Sequence, residues 1–318
     1  MDQPDRDYDF QPEYGGLTSH LPMTVRALSN LGADEARVAE FRAAYSPRLS
    51  ALAESANTGS VDIGAALGQR LEFPALLGWF SRETAALGKH GVVRKWLPTL
   101  MPGVAAAAFH PLIMLYYALD AQSERGVAYA LAYFAWSYLS LGSFGPPGSL
   151  GLGSAVSRLT GVGRTKDATG LLYDRLLLEA RRPAVKAVVS ELRPETEEQS
   201  ALTLVISTHH LVNDLLSLHM VTSWHAHRRI AEIVGVEDAE MRLHLLRALL
   251  IAYVACDAPK LERLPSSKHS WQEVIEIARR DPDEHVIKLV WTCLDIQQRW
   301  QIETLALAAR AAKLNSTG

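Results

Sequence analysis

The chain of 318 residues is 48% apolar and 21% charged, with 32 Lys and Arg against 35 Asp and Glu for a net charge of -3. This composition excludes a disordered tail and a disulfide-stapled mini-protein, and the charge balance excludes the basic stripe that nucleic-acid binding needs. A chain this long buries roughly three quarters of the surface its unfolded form exposes, so a closed interior is available. The two cysteines, Cys256 and Cys293, have no C-x-x-C neighbour and fit a reducing, cytoplasmic address.

Residues 1–16 carry Asp2, Asp5, Asp7, Asp9 and Glu13 against Arg6 and lack the apolar core of a signal peptide, which predicts a flexible acidic arm. From residue 17 to 312 the pattern predicts a single compact all-α domain. Stretches 96–119 and 126–157 are uncharged, but Pro98, Pro102, Pro111, Gly142, Pro146 and Pro147 interrupt them, so they predict core helices rather than membrane spans. Eight of the 21 glycines fall between Gly142 and Gly170, which predicts a long irregular connection. The flexibility and length of its first part, Gly142 to Gly153, suit a lid over a reaction site. Further on, Pro194 marks a helix start. Val205, Ile206, Leu211, Leu215, Leu216 and Leu218 follow helical spacing, and Asp281-Pro282-Asp283-Glu284 reads as an N-cap acid with proline at N1 and acids at N2 and N3. No sustained period-two alternation is present, and no repeat of 20 to 50 residues.

Familiar catalytic motifs are missing. No G-x-G-x-x-G or G-x-x-x-x-G-K-[ST] occurs, the Gly161-Val162-Gly163-Arg164 stretch does not make a nucleotide site, and no G-x-S-x-G elbow is found. Dinucleotide, NTPase and covalent chemistry therefore lack candidates. Of the 11 histidines, none sits in H-E-x-x-H or Glu-x-x-His. His209-His210 with Asp214 imitates a peptide-condensation motif, yet Leu215 stands where that motif has glycine.

Four separated histidines lie amid apolar residues: His20, His110, His225 and His285. Each alone reads as a core histidine as readily as a ligand, but a helical bundle can bring one inward ligand from each of several helices to one interior metal site. His227, two residues from His225, points to another face beside Arg228 and Arg229. His219 lies six residues before His225, about 600° around the helix, which predicts a supporting or surface residue rather than a partner on the same stripe.

The chain resembles the questin oxidase-like family of aromatic polyketide pathways. The matching pieces are His20-Leu21-Pro22-Met23 with Leu31-Gly32-Ala33, Trp96-Leu97-Pro98 with Gly103, and Ala105 through His110. They continue with Ala130-Leu131-Ala132-Tyr133, Val221 through Arg228, and His285-Val286-Ile287-Lys288-Leu289-Val290, in family order over nearly the whole chain. The resemblance implies a non-haem iron oxygenase that cleaves or opens the ring of an anthraquinone-like polyketide with O2. It places metal ligands on His20, His110, His225, His285 and Lys288, with His225 and Lys288 as the catalytic pair. Tyr116-Tyr117 replaces a histidine often found in that stretch of the family, which bears on substrate identity.

An imidazole donates to iron as a neutral ligand, but an ammonium cannot, so Lys288 as a ligand implies carboxylation of its amine by carbon dioxide. His285 and Lys288 stand at i and i+3 and can approach one point; the other reading is a Lys288 that snorkels to solvent. A pocket for a flat aromatic substrate draws on Met23, Tyr116, Tyr117, Tyr133, Trp136 and Trp224, although aromatics at helical spacing also read as core. Alternatives that stay open are an NADPH-linked Baeyer-Villiger type oxidase without a nucleotide motif, a zinc-dependent hydrolase or lyase, and a non-catalytic protein that binds an aromatic metabolite.

Overall fold

Fifteen α-helices, four short 3-10 helices and one two-stranded hairpin account for the regular structure of the computed structural model, which describes residues 4–52, 61–70, 73–166, 170–194, 198–236 and 238–314. The helices are α1 (Leu21–Asn30), α2 (Glu35–Tyr45), α3 (Ile63–Ala66), α4 (Phe73–Leu100) and α5 (His110–Asp120), then α6 (Glu124–Ser137), α7 (Leu152–Leu159), α8 (Leu172–Ala180), α9 (Pro183–Ser190) and α10 (Glu198–Val212). They end with α11 (Leu215–Val234), α12 (Ala239–Ala255), α13 (Trp271–Arg280), α14 (Glu284–Trp300) and α15 (Leu305–Ala311). The chain is mostly helical, as the spacing of its apolar residues requires.

One continuous apolar core runs from Tyr8 to Ala312. At its centre α5 is buried along all but its last residue, Asp120, because every position from Leu112 to Leu119 is apolar or a tyrosine; it packs against α6, α11 and α1. On the far side of α6 lies α4, whose two halves meet at Gly88, where φ 69° and ψ 162° break the helix. A φ of that sign suits the missing Cβ. On the other side α11 contacts α10, α12 and α14, and α14 closes against α1. No helix among the described residues is long and apolar enough to cross a membrane. Cys256 and Cys293 are both free and buried.

Three expectations need correction. Residues 4–16 are packed onto the bundle rather than loose. Asp7 is buried against Arg42, Asp9 pairs with Arg125, Glu13 pairs with Arg70, and the Tyr8 ring sits so close to Gly126 that a Cβ there would lie 2.6 Å from it. The acids thus have bases on α2 and α6 and the segment before α4. The stretch 142–170 is not irregular throughout, because Leu152, Ala155 and Leu159 form the buried stripe of α7 against α9, α10 and α12. Tertiary burial there outweighs the local glycines. Finally, α14 is capped by Asp283 rather than Asp281: Asp281 instead accepts from the Asp283 amide, which turns the chain through Pro282 and leaves Asp283 to cap. The helix start expected at Pro194 runs into residues 195–197, which lie outside the described ones; α10 is described from Glu198.

Candidate metal centre

Three helix beginnings and one helix interior supply the site. His20 is the residue before α1, held there by its own amide donating to the Tyr45 hydroxyl at 3.1 Å, while its carbonyl accepts from Thr24 of α1. His285 is the second residue of α14, where the Asp283 carboxylate caps its amide at 2.8 Å and lies 3.2 Å from its Nδ1. One turn further on, Lys288 is buried to 1% exposure.

His110 opens α5 after an unusual turn. Ala107, Ala108 and Phe109 have φ of 42°, 54° and 73°, three consecutive left-handed residues none of which is glycine. Each costs about 1–2 kcal/mol, and such strain persists where surrounding structure over-determines it, characteristically at sites. Its result here is to bring the Ala107 carbonyl 2.5 Å from His110 Nδ1. That bond needs a proton on Nδ1, which leaves the Nε2 lone pair of a neutral His110 for another partner.

These residues meet. His20 Nε2 lies 2.8 Å from His110 Nε2, the His20 and His285 rings are 4.7 Å apart, and Glu284 Oε1 lies 3.6 Å from His20 Nδ1. A fourth imidazole joins them from α11: the His219 ring is 4.3 Å from that of His110 and 6.3 Å from that of His285. Donor atoms of His20, Glu284 and His285 all lie within 4.8 Å of one another, and His20 is the member common to this triad and to the His110–His219 side.

Burial holds these imidazoles in the neutral form that metal donation needs, whereas a Lys288 ammonium repels a cation as it repels their protons. His20 and His219 are held well below the ordinary imidazole range and His110 at about 3, in each case first by burial; the Lys288 charge adds to all three. Burial lowers Lys288 to about 8, against the pull of Glu284 and Asp283. All three histidines are neutral donors at physiological pH. Both nitrogens of His219 and Nδ1 of His20 are buried without a hydrogen-bond partner. Such orphaned groups are rare in folded proteins and call for an explanation. A metal ion, which takes one nitrogen of each imidazole, accounts for one nitrogen of His219 and for His20 Nδ1; the 2.8 Å between His20 Nε2 and His110 Nε2 is the length of a hydrogen bond. The donor set fits iron or zinc, which imidazole suits.

The structure departs from the expected ligand set at one position. His225 lies elsewhere, with Nε2 2.7 Å from Asp295, whose carboxylate also meets Arg229 at 3.1 Å and Arg299 at 2.8 Å. Its ring neighbours are Tyr116 and Trp300. The same six-residue step that parted His219 from His225 in the sequence explains the exchange. Both rings touch α5, but His219 lies level with His110 at its start while His225 lies further along at Tyr116. His225 is therefore not part of the cluster, and its expected catalytic role has no geometric support. Glu284 was not read from the sequence as a site residue at all.

Nor do the six expected pocket residues line one chamber. Met23 lies one turn into α1; Tyr116 accepts from Trp291 at 3.1 Å and adjoins Tyr117 beside His225. Tyr133 bonds Thr18 and Glu13 near Trp136, which stacks under Arg70, and Trp224 donates to Glu198 at 3.0 Å. The segment expected as a lid hydrogen-bonds to residues 191–193 at the end of α9 and to Arg247 of α12.

No curated protein matches the chain. The cluster residues His20, His110, His219, Glu284, His285 and Lys288 all fall inside the stretch, residues 17–293, that matches a family model described as Questin oxidase-like, and the chain belongs to that family.

Proposed function

We propose that the chain is a non-haem iron oxygenase that opens a ring of an anthraquinone-like aromatic polyketide with O2. Family membership supports an oxidase or oxygenase of anthraquinone pathways. The observation that carries the finer reading is the convergence of four histidines from α1, α5, α11 and α14 with orphaned buried nitrogens beside Lys288.

His20, His110, His219 and His285 would hold Fe(II), with Lys288 as a fifth ligand; the bound iron would supply the redox centre at which O2 and an electron-rich phenolic ring react. Lys288 joins as a carbamate. Its neutral amine adds to carbon dioxide: an N–C bond forms as one C=O π pair moves onto oxygen, one amine proton leaves to solvent, and the oxygen-donating anion that results would offset the charge of the metal. Burial, which lowers the amine to about 8, raises the neutral fraction available for that step. The Ala107 carbonyl fixes the His110 tautomer, the kind of supporting bond that orients metal-bound imidazoles. Deep burial of His20, His219 and Lys288 excludes water, while the His285 side chain keeps 21% exposure and marks the side from which a substrate reaches the cluster.

Elemental analysis of protein purified with and without oxygen tests the metal, and oxygen uptake with a hydroxyanthraquinone tests the reaction. About one iron per chain and substrate-dependent uptake are expected. Zinc without oxygen uptake would point to hydrolytic or lyase chemistry, and no metal at all would remove the proposal. Lys288→Ala is expected to lose most of the iron with its helical circular dichroism unchanged. A carbamate carbon signal on adding 13C-bicarbonate is expected in the parent protein only.

A further inference from the structure

Between α12 and the glycine-rich stretch after α6 lies a cavity of about 220 Å³ that none of the cluster residues lines. Its inner wall carries Arg247, only 5% exposed. The hydrogen bonds of this guanidinium leave from Nε and Nη2 and go to the carbonyls of Val189, Gly145, Pro146 and Ser190, all at 3.3–3.5 Å. Those are long contacts to neutral acceptors, and no carboxylate among the described residues pairs with it. A buried charge without a counter-charge is expensive and calls for a partner. The Phe144 ring, 5.6 Å from the guanidinium carbon, offsets only part of that through its π face.

We propose that this cavity binds a small aryl carboxylate, with the carboxylate on Arg247 and the ring along Phe144. Charge selects the class. Burial and the neighbouring Arg247 pull His244, also on the cavity wall, below the ordinary imidazole range. One fixed positive charge therefore faces the ligand, which matches a carboxylate monoanion better than a phosphate dianion. A planar guanidinium also takes a carboxylate through two parallel bonds. Size agrees: a cavity of about 150 Å³ holds benzene, so the larger one here holds a substituted single ring. Leu141, Val104 and Ala105 give it apolar walls, and Ser140 and Ser143 add hydroxyls. Entry is from the exposed residues Gly142, Ser143 and Gly145. The site requires no metal, and its existence is independent of the oxygenase reading.

Titration calorimetry of the full chain with sodium benzoate, benzamide and inorganic phosphate tests it. One benzoate per chain is expected, with benzamide at least tenfold weaker because it lacks the charge. Arg247→Gln is expected to weaken benzoate tenfold or more. Because Arg247 also ties down neighbouring carbonyls, a second variant keeps it: Ser143→Trp, at the exposed rim, is expected to block benzoate with metal content and melting temperature unchanged. Benzoate that fails to bind the parent protein, binds no better than benzamide, binds more weakly than phosphate, or binds Ser143→Trp as well as the parent overturns the proposal.

Discussion

His219 and His225 occupy one helix, and two substitutions separate their roles. His219→Ala removes an imidazole whose nitrogens have no protein partner, so metal content is expected to fall severalfold with little loss of stability. His225→Ala leaves Asp295 with Arg229 and Arg299 only; breaking such a buried network costs about 2–4 kcal/mol, and metal content is expected to stay near the parent value. Metal analysis and urea unfolding of both variants check the pair, and the opposite pattern would restore His225 to the site. Both histidines sit in apolar surroundings, so neighbouring residues could not choose between them. Only the register and rotation of α11 along α5 decide, and these are set by side chains scattered over the whole bundle. By contrast Pro22, Pro111 and the 281–284 acids place His20, His110 and His285 at helix beginnings, while it was the resemblance, not the spacing, that named them together with Lys288.

At the level of elements, the turn before α5 is the costly one. Ala108→Gly relieves a left-handed alanine, worth about 1–2 kcal/mol, and forfeits a buried methyl worth about 0.8 kcal/mol, so a net gain of up to about 1 kcal/mol is expected in thermal or urea unfolding. A loss would mean that the Ala108 methyl packs better than its conformation suggests. Nothing in Ala105-Ala106-Ala107-Ala108 announces this turn, since alanine is the strongest helix former and the run reads as helix. The stripe Val205, Ile206, Leu211, Leu215, Leu216 and Leu218 was legible as helix, but it spans two, because Asn213 at φ 54° ends α10 and Asp214 caps α11. The short α7 was not legible, because its stripe is only two turns long and glycines surround it.

For the whole molecule, the buried imidazoles set a pH dependence. His110 falls from 6.5 to about 3 on folding, and His20 and His219 also fall far. The unfolded chain therefore takes up protons below pH 6.5 that the folded, metal-free protein refuses, so stability is full above 6.5 and is lost as pH falls toward 3. The slope is about 1.4 kcal/mol per pH unit for each such histidine. Urea midpoints of chelator-treated protein are expected to drop steeply between pH 6.5 and 4, and a flat profile would contradict the burial of these groups. A bound metal deepens the acid sensitivity, since protons then compete with the ion for the same nitrogens.

The closure of α14 on α1 has one more consequence, for the order of events during synthesis. His20 leaves the ribosome early and Lys288 late, and a nascent chain folds from its N-terminal end. Until α14 has emerged, His20, His110 and His219 can meet one another but not His285 and Lys288, which complete the set. On the proposed reading, metal incorporation would be a late, whole-chain event, and a chain arrested before α14 is expected to fold much of its bundle while holding an ion weakly.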